Sequence, residues 1–176
     1  MKIAMFSTYD SYGAGTATYR LHESLLQYGC DSKMFVGRST KPYSTELGMP
    51  AERYAFVNNI STKTRVGDTF TALHFGLRDE ILDNSISGVD IVNIHWVSNF
   101  FSLDNLLRVH NKGKPTVITM HDENLYTGGC HYRNNCQGYK ERCKNCIQMP
   151  EIPWLAETIL LSKKMRWTVV LAAFGW

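Results

Sequence analysis

His121 and Asp122 stand side by side at the end of a β-branched run, residues 116–120, and a glycine pair, Gly128-Gly129, follows them. Cys130, Cys136, Cys143 and Cys146 come next, with five, six and two residues between successive cysteines. Two chemistries are therefore adjacent. An imidazole near neutral pH can give or take a proton, and a neighbouring carboxylate can orient it or bind hydroxyls. The duller alternative has Asp122 capping the next turn while His121 satisfies buried backbone. The cysteines offer thiolate ligands. The Cys143-Lys-Asn-Cys146 spacing is the tight loop of structural zinc sites, whereas Cys130 and Cys136 must arrive on a longer arch. His131 is a possible substitute ligand. Four thiolates on Zn²⁺ carry a net charge of −2, which Arg133, Lys140, Arg142 and Lys144 offset against Glu141 alone. Disulfides and plain reduced thiols stay open beside zinc.

His95 ends another β-branched run and is followed by Trp96, Val97 and Phe100-Phe101. An aromatic wall with one polar group suits a sugar, whose CH groups pack on rings while a hydroxyl finds the imidazole. A core-edge histidine under aromatics is the structural alternative. Gly13 and Gly15 could bring backbone amides to a phosphate at a helix N-terminus. As a dinucleotide fingerprint the loop is weak, because Thr18 holds the third glycine position and the second strand ends in Val36-Gly37-Arg38 with no acid for a ribose. Arg38 keeps an NADP-binding oxidoreductase domain open, and a simple tight turn is the bland reading.

The elements that must position these residues alternate. Residues 2–7 read as a strand, 11–15 as a loop, and residues from 16 as a helix on Ala17, Leu21 and Leu25, stopped by Gly29. Residues 33–36 form a second strand. The stretch 37–84 is hard to read, with a helix placed loosely between 69 and 82. Residues 90–94 form a buried strand, Ser102 caps a helix carrying Leu103, Leu106, Leu107 and His110, and Gly113 ends it. Residues 115–120 form a strand, Pro153 opens a helix through Leu160, and 168–173 read as a last strand. Such alternation implies an α/β, Rossmann-like, mostly parallel sheet with helices on both faces. The expected organisation is one such domain over 1–176 with a cysteine-rich loop at 128–149. Ligands bind outside the carboxyl ends of strands in such sheets, so His95 and His121 are expected on one rim.

The chain has 176 residues, and its scattered net charge of +3 argues against a nucleic-acid partner. The opening residues read as a strand, not a leader, and no window reaches the length of a membrane span. The expected compartment is the cytoplasm, where clustered cysteines favour metal or reduced thiols over disulfides. Cys30, alone after the first helix, reads as a buried small residue.

The 116–149 segment, with its Thr-Gly-Gly-Cys-His-Tyr run and further cysteines after a His-Asp strand end, resembles the acceptor-side domain of retaining family-4 glycosyltransferases. The likeness is to bacterial enzymes of polysaccharide synthesis of the colanic-acid type, and it runs from residue 1 to about residue 150. It implies one half of a GT-B architecture that transfers sugar from a nucleotide-sugar to a saccharide or lipid-linked saccharide with retention. It places Gly13 and Gly15 near phosphate or acceptor, His95 and Trp96 along the cleft, and His121 as the catalytic group beside the reacting carbon. The family's second domain holds the donor with a basic pair and two spaced glutamates. Nothing here corresponds, and Glu151 and Glu157 are in the wrong place. Residues 166–176 also depart from the family pattern. The expectation is a truncated, frame-shifted or stand-alone half, inactive alone and partnered by a separate C-terminal half. It would associate at most peripherally with the inner face of the cytoplasmic membrane. A different class of answer is a zinc-stabilised binding or scaffolding module.

Overall fold

A computed structural model describes residues 1–49, 67, 69–71 and 75–173. The chain divides into two compact units, one of Met1–Pro50 with His74–His121, the other of Ala51–Leu73 with Asp122–Trp176.

The first unit is a five-stranded sheet in the order β3-β2-β1-β4-β5, with every pairing parallel. Its strands are β1 (Lys2–Tyr9), β2 (Asp31–Arg38), β3 (Ser44–Glu46), β4 (Ile91–Ile94) and β5 (Thr116–Ile118). Its helices are α1 (Tyr12–Gln27), α2 (Asp79–Ile86) and α3 (Leu103–Asn111). This is the Rossmann-like α/β fold expected from the alternation of elements. Parallel strands are apolar on both faces because both are covered. Ile3, Met5, Met34 and Val36 pack with Tyr19 of α1, and Leu25 and Cys30 close the edge of that cluster. On the opposite face Phe6 stacks on Phe35 at 5.3 Å and meets Phe101 at 5.1 Å.

Helix α3 starts where its cap predicts. The Ser102 hydroxyl accepts from the Asn105 amide, and the Asn105 side chain accepts in return from the Ser102 amide. Leu103, Leu106 and Val109 are buried, and Arg108 fastens α3 to Asp83 of α2 at 2.8 Å.

Several expectations are corrected. Helix α1 begins at Tyr12, so Gly13 and Gly15 lie inside it and not in a preceding loop. Its buried face is Gly15, Thr18, Tyr19 and His22, whereas Ala17 and Leu21 are exposed. Polar groups can line that face because they find partners: the Thr18 hydroxyl donates to the Ala14 carbonyl, and His22 bridges the Ser32 hydroxyl and the Tyr43 carbonyl. Strand β3 has three residues and carries no periodic signal. Helix α2 starts at Asp79, later than the 69–82 placement; the rest of that placement lies partly outside the described residues.

The second unit contains 3-10 turns at Asn124–Tyr126 and Gly138–Lys140, and a long helix, α4 (Pro153–Ala173). Residues 168–173, expected as a strand, continue α4. A short apolar run cannot be told from helix by pattern, and here no glycine or proline interrupts the chain between Pro153 and Phe174. Met149, Ala156, Ile159 and Leu160 form its buried core with Phe70 and Cys143. Among the described residues no helix is long and apolar enough to cross a membrane.

Candidate functional site

The strand order reverses between β1 and β4, and the crevice beyond their carboxyl ends is where open α/β sheets bind ligands. Backbone pairing carries this rim past the strands. The His95 amide donates to the Phe6 carbonyl at 2.9 Å, the Thr8 amide to the Trp96 carbonyl at 2.7 Å, and the Thr8 hydroxyl to the Ser98 carbonyl at 2.9 Å. His95 is thereby fixed just beyond β4. The Thr119 amide donates to the Ile94 carbonyl at 2.8 Å, which brings the end of β5 alongside.

The two histidines expected on one rim meet directly: His95 Nδ1 and His121 Nε2 are 3.0 Å apart. One proton serves that contact, so one ring donates and the other accepts. His95 is 4% exposed, and its Nε2 has no hydrogen-bond partner among the described residues. Burial first, and the neighbouring His121 second, push the His95 imidazole down to about 4, so it is neutral at pH 7. The partly exposed member of the pair is His121, so it is through His121 that the pair is accessible.

Of the aromatic residues expected here, Trp96 stands at the rim and Phe100 and Phe101 do not. Phe100 and Phe101 are core residues, 0% and 2% exposed. Trp96 instead stacks on Tyr9, with ring centroids 6.1 Å apart, and Tyr12 meets Tyr9 edge-on at 5.7 Å. Tyr12 is exposed and holds φ at 62°, a left-handed conformation that costs a non-glycine residue energy and often accompanies binding sites.

Gly13 and Gly15 separate in role. A Cβ on Gly15 would lie 2.6 Å from the Tyr9 carbonyl oxygen, so glycine there permits helix to approach strand. A Cβ on Gly13 would meet nothing within 4 Å. Only Gly13 borders open space at the first turn.

Sequence reasoning missed Asp10, which is fully buried at the end of β1. It accepts from the Ser39 hydroxyl, the Thr40 amide and hydroxyl, and the Lys41 amide. Burial alone raises its pKa, but these bonds outweigh it and leave the carboxyl below its ordinary value. Asp10 thus ties the loop after β2 to the rim. Its position at a strand end was the available signal.

Asp122 belongs to the second unit. Its carboxylate accepts from the Asn124 amide at 2.9 Å and pairs with His131 Nδ1 at 2.5 Å. The Thr71 hydroxyl meets His131 Nε2 at 2.8 Å. Asp122 therefore serves the turn that follows it, the alternative left open above.

All five cysteines are free thiols. Cys130, Cys136, Cys143 and Cys146 line one pocket, with Arg133 and Lys144 at its edge. The glycine pair has a specific purpose here. A Cβ on Gly128 would fall 2.4 Å from the Ala156 carbonyl oxygen and 3.0 Å from Cys143 Sγ, and one on Gly129, at φ 124°, would strike the Phe70 ring at 2.5 Å. Burial raises the Cys130 thiol and pushes Cys143 up to about 11.

Lys163 of α4 was also missed. It is 3% exposed, and its ammonium donates to the carbonyl and side-chain oxygens of Asn124. Burial lowers it to about 7, against the opposing pull of Cys130, Asp122 and Cys143. Its spacing from Ala156, Ile159 and Leu160 put it on the apolar stripe of α4, a signal legible in the sequence.

The fold and rim define an α/β protein of the Rossmann-like class. No family model, curated protein or solved structure matches the chain.

Proposed function

We propose that this chain is the acceptor-side half of a retaining glycosyltransferase that moves sugar from a nucleotide-sugar to a saccharide or lipid-linked saccharide. The observation that carries the reading is the rim itself. A stacked Tyr9–Trp96 pair and the His95–His121 pair lie at the carboxyl ends of β1, β4 and β5. Rings offer a face for sugar CH groups, and the half-buried His121 ring, unlike the buried His95, is accessible to a hydroxyl. His121, coupled to His95, is the group placed to sit beside the reacting carbon.

In this reading the donor diphosphate is held by a second domain, such as a separate C-terminal half. Nucleotide-sugar binding to the 176-residue chain should then be weak, with Kd on the order of millimolar or above. The chain would work in the cytoplasm, where nucleotide-sugars are made.

The test is saturation-transfer NMR on the full chain with a panel of oligosaccharides, nucleotide-sugars and NADPH. Oligosaccharide binding that disappears in Trp96→Ala and weakens in His121→Ala is the expected result. Micromolar NADPH binding with no saccharide signal would replace this reading with the oxidoreductase one. Silence from every ligand would leave the rim without a sugar role and sink the proposal.

A further inference from the structure

The second unit holds a chemical arrangement that the rim does not use. Four cysteine side chains face one pocket, and none is in a disulfide. One of the sulfurs already accepts a backbone N–H group: the Gly138 amide donates to Cys136 Sγ at 3.4 Å. Such bonds stabilise sulfur most when it is a thiolate. An added Cβ on Gly128 would stand 3.0 Å from Cys143 Sγ and crowd it, whereas one on Gly138 would make ordinary contact with Cys136 Sγ at 3.5 Å.

The charges around the pocket form a second, independent observation. Lys163 is buried, yet the oxygens it donates to are the uncharged ones of Asn124. An ammonium out of water calls for nearby negative charge. Asp122, Cys130 and Cys143 are the groups whose charge acts on it, and two of these are cysteines of the pocket, whose protons a ligand would have to displace. A bound metal cation does this, because a coordinating thiol is deprotonated outright. Four thiolates around a divalent ion leave −2, which Arg133 and Lys144 in the pocket lining, and Lys163 buried in the same unit, would balance.

We propose that Cys130, Cys136, Cys143 and Cys146 form a tetrathiolate site for a zinc-class divalent cation, with Lys163 as its buried counter-charge. Binding exchanges four S–H bonds for four metal–sulfur bonds and releases four protons to solvent, with no change of oxidation state. Among the described residues no three or more ligating side chains stand as a ready metal-holding group, so the sulfurs must draw inward on loading. The loop has the means. Asn134, Cys143 and Asn145 hold φ at 51°, 52° and 54°, the left-handed conformation that lets a chain double back tightly. The Cys143–Cys146 arm closes a two-residue loop, and the Cys143 amide already donates to the Gly138 carbonyl at 2.8 Å. The site's purpose would be to lock the chain that follows Asp122, since the described residues between the glycine pair and α4 form only one short 3-10 turn.

The experiment is titration of the full, reduced chain with cobalt(II), then competition by zinc(II). Expected are a thiolate-to-cobalt charge-transfer band with tetrahedral d–d absorption, saturation at one ion per chain, and release of about four protons per ion. Zinc should displace cobalt and slow amide exchange across 130–146. Cys143→Ser and Cys146→Ser should each remove the tetrathiolate spectrum. Lys163→Met, which keeps the stem and deletes the charge, should stay folded by circular dichroism and bind cobalt at least tenfold more weakly. If the wild-type chain shows no charge-transfer band and its four thiols are alkylated equally fast with and without zinc, the site does not exist. If cobalt binds but Lys163→Met binds equally well, the counter-charge role is overturned while the ligand set stands.

Discussion

In the sheet unit two histidines meet each other, whereas in the second unit a histidine meets a carboxylate. His95 has His121 at 3.0 Å and one nitrogen without a partner among the described residues, and it is held neutral. His131 has Asp122 on one nitrogen and the Thr71 hydroxyl on the other. Both rings are buried, so burial does not separate them. The difference lies in what each arrangement leaves over. The Asp122–His131–Thr71 chain uses both ring nitrogens and behaves as a clasp for the turn at Asn124–Tyr126. The His95–His121 pair leaves one buried nitrogen without a partner among the described residues, so it is not a completed strut. The same division applies to the buried charges. Asp10 is surrounded by donors that satisfy it, while Lys163 donates to the neutral oxygens of Asn124, with Asp122 among the charges that act on it. One unit holds its buried charge in a network of direct donors, and the other holds it against uncharged acceptors.

The sharpest way to break that contrast is Asp10→Ala. Deleting the carboxylate strands the Thr40 and Lys41 amides and two hydroxyls, and should cost about 3 kcal/mol in urea denaturation. A loss under about 1 kcal/mol would mean the loop after β2 is not pinned from β1.

In the second unit, Gly128→Ala forces a Cβ against the Ala156 carbonyl of α4. A backbone oxygen cannot swing aside, so about 2 kcal/mol should be lost, with faster amide exchange over 123–131. Wild-type exchange in that variant would show that the glycine pair has slack.

Acid separates the two histidine settings. His95 falls from an ordinary 6.5 to about 4 in the folded chain. Above 6.5 it is neutral in both states and has no effect. As pH drops from 6.5 toward 4, the unfolded chain takes up a proton that the folded chain refuses, so stability is lost across that window. The loss between pH 7 and pH 5 should be about 2 kcal/mol. His95→Asn should flatten most of the slope, with His22, also lowered by burial, supplying the remainder. An unchanged slope in the variant would move the titration to another group.

The smallest effect discriminates between the helix glycines. Gly15→Ala should cost about 2 kcal/mol because of the Tyr9 carbonyl. Gly13→Ala, facing open space, should be neutral or gain about 0.5 kcal/mol from helix propensity. Equal effects at the two positions would contradict the packing described for α1.

How far the sequence could be read followed from how local each signal was. Strands β1, β2 and β4 were legible from their short apolar stretches, which a parallel sheet buries on both faces. Helix α3 was legible because Ser102 and Asn105 satisfy each other within one turn. His95 and His121 were foreseeable on one rim because both follow strand ends in a sheet whose strands all point one way. Where a signal needed a distant partner, the reading went astray. Ala17 and Leu21 looked like the core face of α1, but Thr18 and His22 are buried because Ala14, Ser32 and Tyr43 meet their polar groups. Residues 168–173 had no local feature to separate strand from helix.

The amino-acid order by itself determined the α/β alternation, the cap of α3, the strand-end histidines and the four-cysteine cluster, since each depends on neighbours within a few residues. Only the tertiary structure decided that Tyr9, not Phe100 or Phe101, stacks with Trp96, that Asp122 turns to His131, and that Lys163 lies buried in the unit that holds the cysteine pocket. Those outcomes depend on residues tens of positions apart being brought within a few ångströms. A hydrogen bond or a desolvated charge is valued by what stands opposite it, and the sequence does not print that distance.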